Sequence, residues 1–118
     1  MSNFRELKVW QKGRVLAREI YIQTGTFPRE ELFGLTRQMR RAAISIISNI
    51  AEGNGRYTRP EQRKFLLIAR GSAFELEAQL IMASDLEWLE PETGAKLVNQ
   101  TTEISKMING LLRHFAQT

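Results

Sequence analysis

Three features of the sequence predict an all-α fold, an antiparallel up-down-up-down four-helix bundle filling a single domain over residues 1–118. Four separate stretches carry apolar residues at steps of three and four, the spacing that stacks side chains on one helical face. Short connections holding glycine or proline divide those stretches, and short connections make sequence neighbours pack side by side. No stretch alternates apolar and polar residues with the period of two that a half-buried strand needs.

Helix one is expected over 7–24, with Val9, Trp10, Gly13, Leu16, Ala17 and Ile20 buried and Lys8, Lys12, Arg18 and Glu19 outside. A glycine inside a helix costs about 1 kcal/mol relative to alanine, so Gly13 points to a close neighbouring helix or to a tolerated exposed site. Gly25 and Pro28 stop the helix. Residues 28–34 read as a connector with a helical turn over 29–32, pinned to the core by Phe27 and Phe33.

The run over 35–56 is the central helix. One stripe holds Leu35, Met39, Ala42, Ile46 and Ile50, and a second holds Ala43, Ile44, Ile47 and Ala51. Two apolar faces call for a deep position or a subunit partner. Gly53-Asn54-Gly55 ends the helix, where the glycines and asparagine allow a left-handed residue. A phosphate loop would need a preceding strand and a following Gly-Lys-Ser/Thr, and this segment has neither.

Thr58, Pro60 and Glu61 supply a cap, a first-turn proline and a capping-box carboxylate for helix three, which is expected to reach Trp88. Its core stripe is Phe65, Ala69, Ser72, Leu76, Leu80 and Ala83. Leu67, Phe74, Ile81 and Trp88 recur every seven residues on another face. That repeat is coiled-coil spacing and marks an oligomer interface, or else a wide core face. Helix four opens at Pro91 beside Glu90 and Glu92, which suit a helix N-terminus, and buries Leu97, Thr101, Ile104, Ile108, Leu111 and Phe115.

Composition narrows the function. With 42% hydrophobic and 25% charged residues the chain is an ordinary globular one. No apolar run has transmembrane length, and the charged start lacks the apolar segment of a secretory signal, so a cytoplasmic protein with no membrane partner is expected. There is no cysteine, which removes thiol chemistry. The net charge of +4 is unevenly spread: residues 5–70 hold 14 Lys/Arg against 6 Asp/Glu, and residues 71–118 hold 3 against 7. Such a division suits either an anionic polymer or head-to-tail pairing of subunits.

No catalytic constellation, metal site or cofactor site is expected. His114 is the sole histidine and stands at the chain end, the serines lack a nearby base, and Glu-x-x-His pairs are missing. A polar seam is expected where helices two and three face each other, made of Arg40, Arg41, Asn49, Glu52, Ser72 and Glu75. Pairing about the turn, with facing numbers summing to about 113 to 115, sets Arg40 and Arg41 near Ser72 and Glu75, and Glu52 near Arg63. The cluster Arg56, Tyr57, Arg59, Arg63 and Lys64 suits phosphates and an unstacked base, or is a solvated helix end.

Several ordered motifs carry a family resemblance: Arg40-Arg41-Ala42-Ala43, Ser48-Asn49-Ile50-Ala51-Glu52-Gly53 with Gly55-Arg56, Ile68-Ala69-Arg70-Gly71-Ser72 with Glu75-Leu76-Glu77, and Leu7-Lys8-Val9-Trp10-Gln11-Lys12. The chain resembles the four-helix-bundle proteins encoded in intervening sequences of 23S ribosomal RNA genes, also labelled S23 ribosomal proteins, over nearly its whole length. Family members often carry proline where Ile47 stands, so any kink there is expected to be weaker. The resemblance implies a homopentamer, similar also to the accessory variability protein of diversity-generating retroelements, which binds a reverse transcriptase and nucleic acid. It implies no settled biochemical activity; the basic charge and the arginines beside Tyr57 point to RNA or single-stranded DNA as ligand, with a protein partner as the alternative.

Overall fold

The computed structural model describes residues 3–116. It is a four-helix bundle: α1 (Lys8–Thr24), α2 (Leu35–Asn54), α3 (Arg59–Asp85) and α4 (Pro91–Ala116), with 3-10 turns at Phe4–Glu6 and Arg29–Glu31 and no strand among the described residues. At 1.5 Å per residue the 27 residues of α3 span about 40 Å, close to the 46 Å long axis of the molecule. In contact order around the bundle, α1 packs on α2, α2 on α3, α3 on α4, and α4 on α1.

Most of the stripes read from the sequence form the core, but α3 buries Leu66 and Ala73 in place of Phe65 and Ser72, and α4 buries Leu112 and leaves Leu111 and Phe115 half-buried, because each helix is rotated by about one position from the expected face. Leu16 and Ile20 of α1, Met39, Ile46 and Ile50 of α2, Leu76 and Leu80 of α3, and Leu97, Ile104 and Ile108 of α4 are all under 2% exposed. The close neighbour of Gly13 is real: a Cβ built there would lie 2.7 Å from Ile47 Cγ2. The missing side chain lets α1 and α2 approach, and Ile47 fills the space. The second stripe of α2 is therefore half used, with Ala43 buried, Ile47 and Ala51 half-buried, and Ile44 exposed.

Two helix starts, those of α2 and α3, have a side-chain partner. The Thr58 hydroxyl accepts the Glu61 N–H at 3.3 Å, which caps α3 as its sequence predicts. At α2 a carboxylate does the capping, Glu31 Oε1 accepting the Leu35 N–H at 3.0 Å. The helix ends depart from expectation. Gly55 closes α2 in right-handed conformation at φ −87°, and no described glycine has positive φ. The left-handed residue is Glu87, at φ 62°. Its N–H donates to Ser84 O at 2.9 Å and the Trp88 N–H donates to Ala83 O at 3.0 Å, the paired bonds of a Schellman motif.

That motif ends α3 at Asp85, three residues short of Trp88. The chain then turns Trp88 inward against Phe27, with ring centroids 5.5 Å apart. Phe27 is buried as expected, but Phe33 is 79% exposed and pins nothing. Its position just before Gly34, at the mouth of α2, points it away from the helices.

Candidate nucleic-acid interface

The turn joining α2 to α3 brings Arg56, Tyr57, Arg59, Arg63 and Lys64 to one end of the bundle, but it uses them differently. Arg56 Nη2 donates to Glu52 Oε2 at 2.9 Å, one helical turn back, and its guanidinium carbon lies 4.8 Å from the Phe65 ring centre. Arg59 stacks over Phe115 at 5.6 Å. Each keeps a buried donor without a hydrogen-bond partner among the described residues, Arg56 Nε and Arg59 Nη1. Arg63 is committed to the fold: Nη1 donates to Leu112 O at 3.0 Å, tying α3 to the last part of α4. Tyr57, 92% exposed, and Lys64, also exposed, are open to a ligand.

Behind this end lies a small cavity of about 240 Å³, walled by Leu7, Ile50, Leu66, Leu111 and Phe115, with Asn54, Gln62 and His114 among its polar residues. An apolar floor with amide and imidazole groups beside it can take a flat ring, while the arginines nearby can meet phosphate oxygens. Among the described residues no group of three or more His, Asp or Glu is placed to hold a metal.

The seam between α2 and α3 is smaller than expected. Ser45 and Ser72 share a 2.8 Å hydrogen bond, and Asn49 Nδ2 donates to Ser45 O at 2.8 Å and to Ser45 Oγ at 3.1 Å. Asn49 and Ser72 thus belong to the seam and the other four residues do not. Arg40 turns to α1, where Nε donates to Thr24 Oγ1 at 2.9 Å and the guanidinium lies 4.8 Å from the Tyr21 ring. Arg41 and Glu75 are exposed, and Glu52 pairs with Arg56 in place of Arg63. The cause is register. Ser45 faces Ser72 and Gly53 faces Phe65, so facing numbers sum to 117 and 118. A shift of a few residues rotates a helical position through most of a turn, enough to take Arg40 and Arg41 out of the seam.

Of the seven-residue repeat, Leu67, Phe74 and Ile81 are 39%, 51% and 48% exposed and form an apolar strip along the outside of α3. A Cβ at Gly71, within this strip, would meet nothing within 4 Å. Trp88 does not join the strip, because the left-handed residue before it redirects the chain into the core.

Two features escape the sequence reading. One is a groove of about 400 Å³ lined by Tyr21, Leu32, Phe33, Arg37, Arg40 and Arg41, among others. The other is a groove of about 720 Å³ on the α3–α4 side that includes Ile81, Asp85, Glu87 and Glu90. The three arginines within five residues were the available signal for the first. Nothing local in the sequence marks the second.

Comparison with known proteins places this geometry. Residues 5–110 match the family model described as 23S rRNA-intervening sequence protein. No curated protein matches the chain significantly. The 1.70 Å crystal structure of a protein with unknown function from the S23 ribosomal protein family of Bacteroides thetaiotaomicron VPI-5482 is similar in fold, with a TM-score of 0.82 and 27% identity, covering 88% of this chain and 97% of that one.

Proposed function

Because this chain belongs to the 23S rRNA-intervening sequence protein family, we propose that it is a non-catalytic, self-associating bundle that binds RNA or single-stranded nucleic acid in the cytoplasm. In this reading the subunits are antiparallel up-down-up-down bundles, five to an assembly, and the number five rests on the family resemblance. Contact is made through phosphates, without base reading. The observation that carries the proposal is the end of the bundle at the α2–α3 turn. There Tyr57 is 92% exposed and Lys64 is exposed, beside the half-buried guanidinium groups of Arg56 and Arg59. An exposed ring gives a base a stacking surface, and the cations give phosphates their partners. Assembly multiplies weak sites by avidity.

The test is binding of a labelled single-stranded RNA by the full chain across a salt titration. Affinity falls with salt, with a log-log slope of about 0.7 per phosphate contacted. Tyr57→Ala with Lys64→Ala flattens that slope and leaves assembly intact. Arg63 is the wrong probe, since its loss also frees the Leu112 carbonyl. If the parent binds no oligonucleotide at low salt, the reading fails.

The exposed apolar strip of α3 favours a second reading. Leu67, Phe74 and Ile81 fit a protein-binding scaffold or adaptor, for a partner such as a reverse transcriptase, with no affinity for nucleic acid. A bound protein partner together with a flat oligonucleotide titration would establish it.

A further inference from the structure

Charge is divided between opposite sides of the bundle. The contact order around the bundle sets the α1–α2 side against the α3–α4 side. On the first lies the groove of Tyr21, Leu32, Phe33, Arg37, Arg40 and Arg41. Arg40 is fixed against Thr24 and Tyr21, whereas Arg37 and Arg41 are exposed and Phe33 projects at 79% exposure. Glu31, close in sequence, is turned back onto the Leu35 N–H. On the other side the larger groove sets Asp85, Glu87 and Glu90 around Ile81, Leu89 and Val98.

The two grooves stand at the same level. Arg40 meets the end of α1 at Thr24. Ser45 meets Ser72 and Gly53 meets Phe65, so the first turns of α2 lie beside the last turns of α3. Gly94, near the start of α4, packs on Ser84. The basic groove and the acidic groove therefore share one end of the molecule and face opposite ways.

We propose that these grooves are the two halves of one contact between copies of this chain: Phe33 of one copy enters the acidic groove of the next, with Arg37 and Arg41 facing Asp85, Glu87 and Glu90. The contact rests on the self-association in the reading above and names its surfaces. A nucleic acid would account for the basic groove alone and would be repelled by the acidic one. A second copy accounts for both, at matching height, with an apolar ring set against an apolar floor and opposite charges around it. Ile81 belongs both to the acidic groove and to the exposed strip of α3, so the contact continues into that strip. Two different surfaces meeting make a heterologous contact, which repeats around a closed ring or along a filament.

Light scattering of the full chain tests this with charge reversal. Arg37→Glu with Arg41→Glu, or Asp85→Lys with Glu90→Lys, weakens assembly about tenfold or more, and the chain carrying all four changes recovers it. Phe33→Ala, at an exposed site, leaves the melting curve of the subunit in place and weakens assembly. A parent that is monomeric at micromolar concentration overturns both the contact and the self-association it rests on. A parent that assembles while all these variants assemble equally overturns the contact alone. Failure of the fourfold swap to recover assembly, with oligonucleotide binding lost in the Arg37→Glu and Arg41→Glu variant, also overturns it and makes the basic groove a nucleic-acid site.

Discussion

At φ 62° Glu87 occupies a backbone region that costs an L-residue about 1–2 kcal/mol, and the two Schellman bonds around it and the packing of Trp88 on Phe27 hold it there. Glycine adopts that conformation freely but loses more entropy on folding. Glu87→Gly should therefore raise stability by about 0.5–1 kcal/mol, read as a rise of a few degrees in melting temperature. Gly13 is the opposite case. Gly13→Ala gains helix propensity but drives a methyl to 2.7 Å from Ile47 Cγ2, a branched side chain with little freedom to move. Denaturant unfolding should show a net loss of about 1–2 kcal/mol, recovered in part by adding Ile47→Ala. The neighbours Arg63 and Lys64 offer a third comparison. Arg63→Ala removes the donor to Leu112 O and should cost about 1 kcal/mol, while Lys64→Ala stays within about 0.5 kcal/mol.

Helix α3 shows how one element serves two surfaces. Its inner stripe of Leu66, Ala69, Ala73, Leu76, Leu80 and Ala83 is buried, and the small residues let α2 and α4 come close. Its outer strip of Leu67, Phe74 and Ile81 is left to solvent in the single chain. Replacing those three with glutamine keeps good helix formers in place, so circular dichroism should be unchanged while light scattering shows dispersal of the assembly. Intact assembly in that variant would remove the strip from the interface. Glu75 lies on the exposed face of the same helix without a partner among the described residues, so Glu75→Ala should leave the melting of the isolated subunit within about 0.5 kcal/mol. Any larger effect must arise in the assembly.

Across the whole molecule, the uneven charge of the chain becomes a difference between sides. The basic first part supplies α1, α2 and the turn, and the acidic second part supplies the far end of α3 and the start of α4. Interactions among exposed charges are screened beyond about 10 Å at 0.1 M salt. Oligonucleotide binding and charge-guided association should both weaken between 50 and about 300 mM salt, whereas apolar contact along α3 should persist. Sedimentation at both salt concentrations separates the two contributions.

Helix positions, most of the buried stripes, the Thr58 cap and the close approach at Gly13 were legible in the sequence, because each depends on spacing or on one residue's local chemistry. The nearness of Arg56, Tyr57, Arg59, Arg63 and Lys64 was legible too, since five positions within nine residues cannot part far. Their division of labour was not. Whether Arg63 meets solvent or the Leu112 carbonyl depends on where α4 ends beside it, and the partners of Arg40 depend on a register shift of a few residues between α2 and α3. The same holds for Trp88, whose seven-residue spacing is interrupted by a left-handed glutamate that propensity disfavours. Spacing along a helix is set by the chain itself, but which side chain faces which across two helices is set by their relative shift and rotation. Those quantities are fixed only when the whole core packs.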